Sequence, residues 1–309
     1  MPQAVRRRPA VLARLRPRTI VAGYRLAVWL SARVPPRAAY PALDAAGDLL
    51  YQINIRACWA VVANLARTMA GWPVGARRRA GRHVFRHVLR NYYDTFRLPA
   101  MTEVEIDDFV RLEGTEHVTG ALATGRGVIV VTAHVSSLVV GAQALAQRFG
   151  GATVVVEPLE PPELLDLLVA VRGSHGLRMV PIGPALAADL TAALRRNELV
   201  FLAVDRDLGA ATLTVPFFGR PTPIPSGAAV LALRTGATVL SAFTARRRDG
   251  RLRGIVDPPL DVTPTGVIRA DMLALTSAMA ARLEYHIGRY PEQWTVLQRI
   301  WPDSGRETR

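Results

Sequence analysis

The chain has 309 residues, half of them apolar, which is ample material for a full hydrophobic core. Its 39 basic residues outnumber 25 acidic ones, giving a net charge of +14, and every basic residue is Arg. The lack of Lys excludes a Lys nucleophile and a P-loop, and a mean hydropathy of +0.17 suits a lipid surface better than nucleic acid, for which no binding motif is present.

Residues 1–17 are rich in Arg and Pro and are expected to form a disordered basic tail. Residues 18–34, RTIVAGYRLAVWLSARV, read as a largely apolar helix interrupted by Arg25 and Arg33, too short and too charged for a membrane span. Tyr24 and Trp29 beside Arg18, Arg25 and Arg33 fit a helix lying in a membrane interface; a core helix of the domain fits equally well. A helical pattern continues over 36–75, with Asn64 and Arg67 on its polar side. Residues 76–98 then interleave Arg77, Arg78, Arg79, Arg82, Arg86 and Arg90 with Val84, Phe85, Val88 and Leu89. On a helix this sets an apolar stripe beside a cationic face, suited to solvent or to anionic headgroups. Residues 18–100 are therefore expected to be a helical, membrane-associating region. The single cysteine, Cys58, reads as a buried thiol in a reducing compartment, and no signal peptide is evident.

From about residue 110 short β-branched runs alternate with helical stretches. Strands are predicted at 127–133, 153–156, 199–204 and 237–244. Helices are predicted near 138–149, 162–174, 185–196 and 226–235, with an amphipathic helix at 268–288. This order predicts an α/β domain over 101–309, a mostly parallel central sheet flanked by helices.

In open α/β sheets, sites gather beyond the carboxyl ends of the strands. VIVVTA ends on His134; LVFLAV ends on Asp205, followed by Arg206 and Asp207. His134 either faces the crevice there or caps the next helix. His83 and His87 share a helix face but lack a third ligand, so no metal is expected. His117 and His175 fall in apparent loops, and His286, near Tyr290 at a helix end, reads as structural. Residues 214–237 carry Phe217, Phe218, Gly219 and Arg220, a Pro-spaced loop and a helix opening near Ser226, a weak anion-site signal.

Three blocks in order carry a resemblance: VIVVTAHVSSLVVGAQALA (128–146), the segment 199–240 with its Asp-Arg-Asp and Phe-Phe-Gly, and RYPEQWTVLQRIWP (289–302). YDTFRLP (93–99) and the N-terminal helices fit as well. The chain resembles the lysophospholipid acyltransferase superfamily, in the branch of lipid A biosynthesis (lauroyl/myristoyl) and phosphatidylinositol mannoside acyltransferases. The resemblance implies a glycerol-3-phosphate acyltransferase-like fold and transfer of a fatty acyl group from acyl-CoA or acyl carrier protein to a lipid or glycolipid hydroxyl, with no cofactor. It implies work at an anionic membrane surface, on the cytoplasmic face of the bacterial plasma membrane, peripheral or held by the N-terminal helix.

Members of that superfamily carry a His followed five residues later by an acid, the imidazole taking the proton of the attacking hydroxyl while the carboxylate orients the ring. Here the fifth residue is Val139. Asp205 is expected to take the place of the acid beside His134. Arg206 is expected to contact a phosphate, or to form a local ion pair with Asp207. Ser136 and Ser137 are candidate hydrogen-bond donors, and Asp207, Phe217, Phe218, Gly219 and Arg220 are candidate substrate contacts. Two readings result: an O-acyltransferase with His134 as general base, or a non-catalytic relative that binds acyl chains or lipids, which Val139 favours.

Overall fold

The computed structural model describes residues 17–207 and 211–301, so residues 1–16 of the basic tail and the end of the last block lie outside the described residues, while Pro17, expected in the tail, opens a helix. The N-terminal region is helical: α1 (Pro17–Arg33), α2 (Pro36–Ile53), α3 (Ile55–Thr68) and α4 (Val74–Arg97). The predicted helix over 36–75 is in fact two. It breaks at Asn54, whose side chain accepts from the Ala57 N–H at 3.2 Å and so caps α3. Asn64, expected on a polar side, is buried, because it holds the chain's closing segment: its Nδ2 donates to the Gln298 carbonyl at 2.8 Å and its Oδ1 accepts from the Ile300 N–H at 3.1 Å. Cys58 is half-buried, not buried, since its neighbours Ile55 and Trp59 turn outward. No helix of the described residues is long and apolar enough to cross a membrane.

The rest alternates as predicted, with extra pieces. In order come α5 (Glu103–Phe109), β1 (Val110–Glu113), α6 (Thr115–Leu122), β2 (Val128–Thr132), α7 (Leu138–Phe149), β3 (Ala152–Val156), α8 (Pro162–Arg172), β4 (Leu177–Pro181), α9 (Leu186–Arg195) and β5 (Leu199–Ala203). Then follow β6 (Thr212–Phe217), β7 (Arg220–Pro225), α10 (Gly227–Thr235), β8 (Thr238–Arg246), β9 (Leu252–Val256) and α11 (Ile268–Arg289). His117 thus lies in α6, not in a loop, and the pieces not predicted are the helices α5 and α6 and the strands β1, β4, β6, β7 and β9.

The described residues form a seven-stranded sheet in the order β1-β9-β8-β2-β5-β3-β4. Every adjacent pair is parallel except β8 and β9. β2 is buried along its whole length, as a β-branched run in a doubly covered parallel sheet must be. Its side chains alternate between two cores. Ile129 and Val131 face α9, α10 and α11, and Val128 and Val130 face α6 and α7. β6 and β7 make a separate antiparallel hairpin.

The helical region is tied to the sheet by a buried polar group. The Arg246 guanidinium, at the end of β8, pairs with Asp94 of α4 and donates to the Tyr40 hydroxyl of α2 at 3.1 Å and to Asn91 Oδ1 at 3.1 Å. The Tyr40 hydroxyl in turn donates to Asp94 at 2.8 Å.

Candidate active site

The site begins with register. β2 and β5 are neighbours, and Thr132 stands opposite Ala203. Two residues further on, the same offset sets His134 opposite Asp205, and adjacent strands lie roughly 5 Å apart. The Val204 N–H still donates to the Thr132 carbonyl at 3.0 Å, so the pairing persists past the end of the strands. His134 Nδ1 lies 2.7 Å from Asp205 Oδ1, and the His134 backbone N–H donates to Oδ2 at 2.9 Å. The side chain of Asp205 is fully buried, while that of His134 is 26% exposed.

The closing segment fixes this pair from outside. Trp294 Nε1 donates to Asp205 Oδ2 at 2.8 Å. Thr295 donates to the His134 carbonyl from its backbone N–H at 2.8 Å and from its hydroxyl at 2.9 Å. Val135 and Trp294 form an antiparallel bridge, and the Ser136 N–H donates to the Gln293 carbonyl at 2.8 Å. From the helical side, Asn91 Nδ2 donates to the Ser136 carbonyl at 2.7 Å. Burial alone would raise the Asp205 carboxyl. The charge of a protonated His134 ring and the hydrogen bonds from that residue and Trp294 outweigh it and hold the carboxyl below its ordinary value.

With Nδ1 engaged by Asp205, Nε2 of His134 is the ring nitrogen left for chemistry. His134 lines a cavity of about 450 Å³, walled by α4 (Val88, Asn91, Tyr92, Thr95), by Ser136, Ser137 and the start of α7, by the segment 295–298 and by Arg172 and Arg206. Arg206 pairs with Glu157. The Nε atoms of Arg172 and Arg206 are buried and have no partner among the described residues. Two guanidinium groups with donors to spare border one cavity, which makes its wall receptive to phosphate or carboxylate oxygen. Among the described residues no group of His, Cys, Asp and Glu is placed to hold a metal ion.

A family model described as bacterial lipid A biosynthesis acyltransferase matches residues 13–302. The chain belongs to this acyltransferase family. It is 34% identical to a phosphatidylinositol mannoside acyltransferase of Mycobacterium tuberculosis (strain CDC 1551 / Oshkosh) over 220 residues, 69% of this chain and 67% of that one. Against the phosphatidylinositol mannoside acyltransferase of Mycolicibacterium smegmatis the figures are 32% over 242 residues, 77% of each chain. A lipid A biosynthesis palmitoleoyltransferase of Escherichia coli (strain K12) is 27% identical over 193 residues, covering 61% of this chain and 60% of that one. Membership makes the protein an acyltransferase and implies a lipid or glycolipid acceptor.

Within this acyltransferase fold, the sequence-predicted residues divide. His134, Asp205, Arg206, Ser136 and Ser137 come together at the ends of β2 and β5, and all but Asp205 line the cavity. Asp207 is exposed and does not line it. Phe217, Phe218, Gly219 and Arg220 do not line it either. They make the tight turn of the β6–β7 hairpin, with Phe218 and Gly219 at φ 49° and 72°, which explains a glycine there. Phe217 is fully buried, stacked on Trp301 with ring centroids 5.7 Å apart and meeting Trp294 edge-on at 6.5 Å. It therefore backs the indole that holds Asp205. Sequence reasoning missed Arg172, because one Arg at the end of α8 carries no signal in an Arg-rich chain.

Proposed function

We propose that this acyltransferase moves a fatty acyl group from an acyl thioester, acyl-CoA or acyl carrier protein, to a hydroxyl of a glycolipid or (lyso)phospholipid, with His134 as general base and Asp205 as the carboxylate that orients and balances it. The observation that carries the reading is the 2.7 Å contact between His134 Nδ1 and a fully buried carboxylate, beside a cavity that His134 lines with two arginines. Proton transfer from the acceptor hydroxyl to Nε2 makes the attacking oxygen nucleophilic, and Asp205 fixes the ring tautomer that can accept it. Arg172 and Arg206 would meet the phosphate of donor or acceptor. Relatives named phosphatidylinositol mannoside acyltransferases are more similar to the chain than the lipid A relative, so a mannosylated phosphoinositide is the first acceptor to try.

The test is incubation with labelled acyl-CoA and a panel of lipid acceptors. Wild type is expected to label one of them, and His134→Ala none. No turnover with any acceptor would shift the assignment to a lipid-binding relative.

The same reading places the protein on an anionic membrane surface on the cytoplasmic side. Its support is a run of exposed apolar side chains on the N-terminal helices: Leu26, Trp29 and Leu30 on α1, Leu49 and Ile53 on α2, Ile55 and Trp59 on α3, and Trp72 beyond. Arg33 lies over the Trp29 ring at 4.1 Å, the mixed aromatic and cationic surface that an interface favours. Co-sedimentation with anionic phospholipid vesicles is expected to be strong in low salt, and Trp29→Ser with Trp59→Ser to weaken it about tenfold. Equal sedimentation of the double variant would remove this face from the binding surface.

A further inference from the structure

Two hydroxyls beside His134 have nothing to do in the resting fold. Ser136 and Ser137 are 3% and 2% exposed, both line the cavity, and neither Oγ has a partner among the described residues. Buried hydroxyls are nearly always bonded, so a pair left idle in one loop calls for a reason. Ser136 also holds φ at 50°, the left-handed region that a residue with a side chain rarely adopts.

The loop itself is not loose. The Ser136 N–H and C=O are taken by Gln293 and Asn91, and the Val135 carbonyl accepts from Thr244 Oγ1 at 3.1 Å. The hydroxyls of both serines are left unused. Immediately after them α7 begins at Leu138. The first amides of a helix have no acceptor within it and carry its positive end. Ser137 stands at the N-cap yet makes no capping bond to them. Hydroxyl and amide donors are thus gathered in the residues that follow the His134 base, in a rigid frame.

We infer that Ser136, Ser137 and the first turn of α7 form the site that receives the carbonyl oxygen of the acyl thioester as it becomes negative. The inference rests on the acyl-transfer reading of the same cavity. The acceptor oxygen bonds to the thioester carbon while its proton passes to His134 Nε2. The carbonyl π pair moves onto oxygen, where the idle hydroxyls find their acceptor. When the oxyanion collapses, the C–S bond breaks and the leaving thiolate takes the proton back from His134. Donors held in place before the charge develops stabilise it without rearrangement.

This assignment makes activity and stability separate. Ser136→Ala with Ser137→Ala removes hydroxyls that bond to nothing in the resting protein, so the melting temperature is expected to hold or rise. The kcat for acyl-CoA is expected to fall roughly a hundredfold, with KM within about twofold and the pH profile unmoved. If the alanine pair melts low, Ser136→Gly, which suits the positive φ, with Ser137→Ala repeats the test. An active wild type with an unaffected kcat in the double variant overturns the oxyanion site and leaves acyl transfer standing. A rise in KM alone also overturns it, because it would mean that these groups hold a resting anion. No turnover by wild type with any acceptor, against the His134→Ala blank, overturns both readings.

Discussion

Asp205→Asn is expected to lower acyl transfer by about four orders of magnitude while leaving the protein folded, the size of loss that follows when the acid of the comparable serine-protease triad is made neutral. The carboxylate accepts from the His134 ring, from the His134 backbone N–H and from the Trp294 indole. An amide offers one acceptor oxygen to these donors and puts an NH2 group where a second oxygen stood. If that NH2 faces Nδ1, the ring must carry its proton on Nε2, and the base is lost. Single-turnover kinetics with labelled acyl-CoA would measure it, with circular dichroism as the check on folding. Activity within tenfold of wild type would mean that His134 does not depend on Asp205.

The same carboxylate sets a pH dependence of stability. Its folded value is held below the ordinary one, so its stabilising contribution is complete above the unfolded carboxylate value of about 3.9 and is lost as pH falls through the depressed folded value. The stability gap between wild type and Asp205→Asn is therefore expected to be widest near neutrality and to close in acid. Urea unfolding at pH 7 and pH 3 would show it, and a gap that widened in acid would contradict the sign.

How much of this was legible in the sequence depends on how far apart the partners lie. β2, β3, β5 and β8 announce themselves as β-branched runs, and α7 spans 138–149, the range its apolar spacing predicts. The other strands do not. β7 carries Pro221, Pro223 and Pro225, which argue against a strand in any central position, and only a two-stranded hairpin outside the main sheet tolerates them. β9 is broken by Arg253 and Gly254, which hide its period. The site shows the same division. A search of the residues around His134 meets Val139 and finds no acid. The nearest carboxylate in space is 71 positions away, and only the register of two neighbouring strands brings it back. That both residues end a strand could be read from the sequence; that the strands adjoin could not. The roles of Trp294, Thr295 and Asn91 were hidden because each acts through a backbone or buried contact that leaves no local pattern.

Arg246→Met is expected to destabilise the protein by about 3–5 kcal/mol, because it strands a buried carboxylate. The side chains of Arg246 and Asp94 are 1% and 3% exposed. Burial is the main influence on Asp94 and already raises its carboxyl above the ordinary value, against the pull of Arg246 and the Tyr40 hydroxyl. Without the guanidinium the carboxyl rises further, and the native state binds a proton that the unfolded chain gives up. Stability of the variant then falls as pH climbs from the unfolded carboxylate value to the raised folded one, and acid restores it, the opposite sign to Asp205. Adding Asp94→Asn removes the stranded charge, so the double variant is expected to regain much of the loss. Urea unfolding of wild type, both single variants and the double variant at pH 7 and pH 5 measures the coupling. Because Arg246 also donates to Asn91, which holds the Ser136 carbonyl, the double variant should remain slow even where its stability returns. A double variant as unstable as Arg246→Met would mean that lost packing, not the unpaired charge, sets the cost.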